Sequence, residues 1–168
     1  EDLFDIGVQQ FNDKNYKEAA ETFSRITSRN PWHRDALFNQ ANAYLGLQDG
    51  PNLASTAEKL LAIEPLSEHD HSLHAQGHKL AGNQDGVFKA IVAREALLVK
   101  LEVEGIKRTA DGATLSGKAT GREARDENNK LLESRALTIG VEFLDEAGAV
   151  IASQEVQIPA LKVGETAP

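Results

Sequence analysis

Two prolines 34 residues apart, Pro31 and Pro65, enclose one helical hairpin's worth of sequence, and no other feature constrains the chain as much. A fixed period of this length marks stacked helix-turn-helix units. Within it Leu37, Ala41 and Tyr44 recur at helical spacing, Gln48-Asp49-Gly50-Pro51 breaks the helix, and Ala54, Ala57, Leu60 and Leu61 form a second stripe. Neither helix can bury its stripe alone, so the unit needs a neighbour on each side.

The flanking sequence supplies a neighbour before Pro31. Leu3, Ile6, Gly7 and Gln10 set out a helix, Asn12-Asp13-Lys14-Asn15 is a polar turn, and Tyr16, Ala19, Ala20, Phe23 and Ile26 carry the return helix. Small residues at Gly7, Ala19 and Ala20 let two helices joined by a short turn approach closely. The order Gly7, Tyr16, Ala19, Phe23, Pro31 resembles the tetratricopeptide repeat. In the second unit Ala41, Tyr44 and Pro65 keep that pattern, with Gly50 in place of the turn tyrosine and Ala57 in place of the aromatic. A third unit aligns at a shift of 36, with Gln76-Gly77 on Gln40-Ala41, Leu80 on Tyr44 and Gln84-Asp85-Gly86 on Gln48-Asp49-Gly50. Ala90, Ala93 and Leu97 then fall on Ala54, Ala57 and Leu61, and the two extra residues fall in 66–71. The expectation is three helical hairpins, at 1–31, 32–65 and 66–98, forming a right-handed solenoid.

A terminal repeat should present a polar outer face. The last helix instead carries Val87, Phe88, Ala90, Ile91, Val92, Ala93, Leu97, Leu98 and Val99 around most of its surface. Something is expected to cover it, whether the rest of the chain, a second copy or further repeats.

From Leu101 the period becomes alternating. Leu101 and Val103 open a strand, Asp111-Gly112 signals a hairpin, and Leu115, Gly117 and Ala119 share a face of the return. Residues 121–134 are charged and aperiodic and read as a long solvated loop. Leu137, Ile139, Val141 and Phe143 alternate, residues 145–148 turn, and Val150, Ala152, Val156 and Ile158 return before Pro159. Leu115-Ser116-Gly117, the run from Val141 to Gly148 and the run from Ile158 to Ala167 resemble the FxLYD type of immunoglobulin-like module in bacterial envelope proteins, with Val163 where that family has proline. The fold class expected is therefore α plus β in two domains, a helical array over 1–98 and an incomplete antiparallel immunoglobulin-like sandwich over 101–168. The resemblance favours the periplasm or cell envelope over the cytoplasm. Four strands are legible where such a sandwich takes about seven, leaving a sheet edge to be satisfied.

The formal net charge is −8, with 9 basic against 14 acidic residues in 1–98 and 9 against 12 in 99–168. Neither part offers the basic surface that nucleic acid or an anionic bilayer attracts. The absence of cysteine excludes disulfides, thiol catalysis and cysteine-bound metal. Lacking methionine and starting at Glu1 almost within a helical pattern, the chain reads as a piece of a longer protein. No span-length apolar run is present, so membrane insertion is not expected.

Catalytic constellations are not legible: Glu102 and Glu104 read as an exposed strand face, and no histidine is positioned near Thr114, Ser116 or Ser153. A non-enzymatic protein without a cofactor is expected. Four of the five histidines, His69, His71, His74 and His78, cluster. The spacing of His74 and His78 could chelate zinc or nickel with His71 or Asp70 as third ligand, which would make 69–78 the centre of a metal-binding or enzyme accessory module, an alternative to be weighed against polar residues on a solvated stripe. The main functional reading is a concave groove formed by Phe4, Val8 and Phe11, then Phe38, Asn42 and Leu45, then His74, His78 and Ala81, holding a peptide or partner protein. The residues matching the carboxylate clamp of some tetratricopeptide proteins are Phe4, Val8, Asn39, His71 and Ala75, so that activity is not implied. Homo-oligomerisation through the last helix or the open sheet edge, and a purely structural spacer, are the remaining readings.

Overall fold

The structure, a computed structural model, describes residues 2–109, 112–145 and 148–168. Six helices come first: α1 (Leu3–Asn12), α2 (Tyr16–Arg29), α3 (Arg34–Gly46), α4 (Gly50–Ile63), α5 (Glu68–Leu80) and α6 (Gln84–Glu95). Consecutive helices pack against each other, so the six form a stack of three hairpins.

The turns show that the period is 34 throughout. Lys14, Gln48 and Gly82 follow one another at that interval and all adopt the left-handed conformation, with φ of 64°, 56° and 72°. The next residues, Asn15, Asp49 and Asn83, are the N-caps of α2, α4 and α6. Each donates its backbone N–H at 2.9 Å to the carbonyl five residues back, on Gln10, Tyr44 and His78. The 36-residue alignment of the third unit is therefore displaced by two. The connections 30–33 and 64–67 are equally long, so no insertion falls in 66–71. Composition misled the alignment because Gln84-Asp85-Gly86 repeats the letters of the earlier turn, whereas the left-handed residue and the cap that set the register are Gly82 and Asn83.

Packing follows the same interval. A Cβ on Gly7 would lie 2.7 Å from the Phe23 ring, so α1 and α2 close only because Gly7 has none. Between hairpins one and two, Tyr16 lies flat on Gly46; between two and three, Gly50 meets the backbone at Leu80 and Ala81. The large residue has moved from the earlier helix to the later one, which explains the missing tyrosine at Gly50. Gly77 closes on Ala54 in the same interface. Leu37, Ala41, Leu53, Ala57, Leu60 and Leu73 form one buried cluster, and Ala19, Ala20, Phe23, Ala36 and Ala43 another. The stripes read from the sequence supply most of both, with Tyr44 packed against each.

Helix α6 keeps its apolar face open. Phe88 and Ile91, equivalent to Ala54 and Ala57, are 56% and 40% exposed, whereas Ala54 and Ala57 are buried beneath the next hairpin. The helix also stops at Glu95, and Val99 belongs to the following strand. Among the described residues, none buries Phe88 or Ile91 as the next hairpin buries Ala54 and Ala57.

The remaining chain forms two antiparallel sheets. One contains β1 (Val99–Thr109), β2 (Gly112–Gly121) and β5 (Thr166–Ala167) in the order β1-β2-β5; the other pairs β3 (Leu137–Leu144) with β4 (Val150–Ile158). The strand β5 was not legible, since two residues show no alternation; it pairs Thr166 with Thr120 and Ala167 with Ala119. The expected turn residue Asp111 lies outside the described residues, as do 146–147 of the second turn, where Gly148 donates its N–H to the Asp145 carbonyl. An apolar cleft of about 160 Å³ separates the sheets, lined by Leu101, Val103, Leu115, Val141 and Val156 among others. The described residues thus form two antiparallel sheets, of three and two strands.

The segment 121–134 is not a free loop. Ala124 is buried, Arg125 bridges to Leu131, and the half-buried Arg122 reaches back to the helices. Its guanidinium donates to the carbonyls of Arg94 and Leu97 at 3.1 and 3.0 Å and pairs with Glu68 at 2.6 Å. It thereby adds side-chain donors at the C-terminal end of α6, where the Arg94 carbonyl also accepts the Leu97 N–H at 3.3 Å. Val99, Ala119, Ile158 and Leu161 form the sheet core, and Leu66 from the α4–α5 connection packs on it.

Candidate peptide groove and histidine cluster

The groove stripe lies on α1, α3 and α5, the first helix of each hairpin. Phe4 meets Phe23 edge-on and stacks on His33, both at 5.7 Å between ring centres. Phe11 meets Tyr16 edge-on at 5.3 Å. Phe38 faces His69 at 5.3 Å, and the Arg34 guanidinium lies 5.0 Å from the centre of its ring. Phe4, Val8 and Phe11 pack against the first-hairpin core, Phe38 and Leu45 against the second. The Asn42 amide donates to the Phe38 carbonyl at 2.9 Å. All six are half-buried, so the face is less open than expected from a stripe lying off the inter-helix core.

The third hairpin departs from the expectation. With the period at 34, the residues equivalent to Phe38, Asn42 and Leu45 are Ser72, Gln76 and Lys79, not His74, His78 and Ala81. His74 and His78 are equivalent to Gln40, which accepts from Thr27 of the preceding hairpin at 3.3 Å, and to Tyr44, which packs against both helical cores. The His78 ring is wedged against α6, where a Cβ on Gly86 would meet it at 2.5 Å. The apolar groove therefore extends over two hairpins and becomes polar at the third.

The metal alternative is not assembled. His71 is equivalent to Leu37 and is buried like it; its Nε2 donates to the Pro65 carbonyl at 3.0 Å. His74 and His78 approach Nε2 to Nε2 at 3.0 Å, leaving His71 pointing elsewhere. Among the described residues no three His, Asp or Glu side chains converge as a metal site.

Three features were missed. Asp70, equivalent to the buried Ala36, is fully buried, and neither carboxylate oxygen has a hydrogen-bond partner. Arg34 stands 3.6 Å away while pairing with Glu64 at 3.0 Å. Burial pushes the Asp70 carboxyl above the usual carboxylate range, against the opposing pull of Ser67 and Arg34. The alignment at 34 was the signal available, since it sets an acid on an alanine position. The second is Leu53, at the centre of the second core beside the stripe that was read. The third is a polar cleft lined by Lys17, Glu21, Arg25, Tyr44 and Asp49, between α2 and the end of α3.

On the sheets Glu102 pairs across the strands with Lys118 at 2.8 Å and along its own strand with Lys100 at 2.7 Å. Hydrogen bonds from these two lysines lower its carboxyl to about 2. Glu102 thus belongs to a charged strand face, where Glu104 also acts on Lys118.

No protein-family model and no curated protein sequence matches the chain. Among solved structures it resembles the crystal structure of PcrH in complex with the chaperone binding region of PopD, with a TM-score of 0.51 at 14% identity, covering 57% of this chain and 72% of that one. At that identity the likeness establishes a helical-repeat fold. No helix among the described residues is long and apolar enough to cross a membrane.

Proposed function

We propose that the chain is a non-catalytic protein-binding scaffold whose helical array holds an extended peptide segment of a partner along α1 and α3. The observation that carries this is the line of Phe4, Val8, Phe11, Phe38 and Leu45 on the first helices of two adjacent hairpins. Each ring or branched chain is anchored by its core and half-exposed, so it offers preorganised apolar contact at little entropic cost. The structural neighbour supports the reading, since PcrH is seen in complex with the chaperone binding region of PopD. The fitting segment is apolar over the first two hairpins and polar, or acidic beside Lys79, over the third. The two sheets, by their resemblance to envelope modules, form an immunoglobulin-like domain that carries this array at a bacterial cell envelope.

Peptides selected by display on the intact chain test the groove. Phe38→Ala should weaken the selected peptides at least about tenfold, as loss of a buried anchor does, with the helical circular dichroism unchanged. Phe88→Ser, on another face, should leave binding intact. If Phe38→Ala leaves affinity unchanged, or if Phe88→Ser abolishes it, the groove assignment fails.

A further inference from the structure

We propose that His74, His78 and Asn83 form a proton-sensitive latch that joins α5 to the start of α6 and holds only while both imidazoles are neutral. Asn83 caps α6 through its Oδ1, which accepts the Gly86 N–H at 2.9 Å. That bond fixes the orientation of the amide, so its Nδ2 faces His78 Nδ1 at 3.3 Å and donates to it. With Nδ1 accepting, the His78 proton sits on Nε2 and is donated to His74 Nε2 at 3.0 Å. His74 therefore carries its own proton on Nδ1. Every link is set by the one before it, starting from a backbone amide.

The relay has no place for another proton. Protonating His78 at Nδ1 sets a donor against the Asn83 amide, and protonating His74 at Nε2 sets a donor against the His78 N–H. Either event costs a hydrogen bond within a half-buried contact whose rings lie 4.5 Å apart between centres. Because the His78 ring rests on Gly86, the strain falls on the capped first turn of α6. The same geometry disfavours metal, since the lone pair of His78 faces Asn83.

Other charges near the pair do not replace the lost bonds. Glu58 of α4 favours protonation of His74, while His71 on α5 opposes it. On α6, Asp85 and Lys89 pair with each other at 2.7 Å, and Arg94 pairs with Glu95 at 2.7 Å. Burial, followed by the charge of His78, holds the His74 imidazole below the usual histidine range. Its contribution to stability is therefore fully present above the ordinary histidine pKa and falls as pH drops below it.

Imidazole nitrogen spectra and thermal melting of the intact chain test the latch without any ligand, so the result does not depend on the groove. At about pH 7.5 His78 should show the Nε2–H tautomer and His74 the Nδ1–H tautomer. Between about pH 7.5 and about pH 5.5 the thermal midpoint should fall by about 4 °C or more. Asn83→Asp keeps a cap acceptor, as Asp49 does at the equivalent turn, but replaces the amide donor by a group that favours charged His78. His74→Gln places at this site the residue that Gln40 supplies one repeat earlier. In both variants the acid-induced fall should shrink to about half or less. A His78 Nδ1–H tautomer at the higher pH, or the same pH dependence in wild type and both variants, would overturn the proposal.

Discussion

Asp70 shows how one position can work against the fold around it. A buried carboxylate without hydrogen bonds is costly, and the half-exposed Arg34 at 3.6 Å repays only part of that cost. Alanine stands at the equivalent place one repeat earlier and is equally buried. Asp70→Ala is expected to stabilise the protein at neutral pH by about 1–3 kcal/mol, measured by urea denaturation. The carboxyl's folded pKa is raised, so the acid form suits the fold: its stabilising effect is complete below the unfolded value of about 3.9 and lost as pH rises through the folded one. The advantage of the variant should therefore narrow on acidification. Gly7 works in the opposite sense, since Gly7→Val would drive a branched chain into the Phe23 ring and should cost about 1–3 kcal/mol by the same assay.

At the scale of the element, Arg122 and α6 make separate claims. Replacing Arg122 by Gln removes the ion pair to Glu68 and the donors to two helix-end carbonyls. Limited proteolysis should then cut faster between α6 and β1, while the melting of α1 to α4 is little changed. Phe88→Ser should lower binding of a hydrophobic dye and leave the thermal midpoint within about 2 °C, because a residue 56% exposed contributes little to the core. The elements themselves were mostly readable before the structure. Gly7 and Phe23, or Ala19 and Ala20, meet within a hairpin, so short-range spacing records their contact. What was not readable depends on partners far along the chain: Arg122 acts on residues 25 and more positions earlier, and β5 is defined by the strand it joins. The groove was legible in the first two hairpins and lost in the third. There, similar letters two residues out of register outweighed the backbone signal at Gly82, and His74 and His78 were assigned to the wrong face.

For the whole molecule, the sheets are attached to the helices along the edge formed by the connections between hairpins. Leu66 in the second connection packs into the sheet core. Near the other end of that edge, Gly148, with φ of 83°, rests against the Trp32 indole in the first connection. Trp32 is the chain's single tryptophan and is 41% exposed. Its fluorescence is thus an unlabelled gauge of whether the β3–β4 hairpin is seated. Gly148→Val, which both strains the left-handed turn and crowds the indole, should shift the emission to longer wavelength while the helical circular dichroism holds. Peptide capture that left this emission unchanged would mean that helices and sheets respond separately, whereas a shift on binding would make the chain a sensor that reports its own occupancy in light.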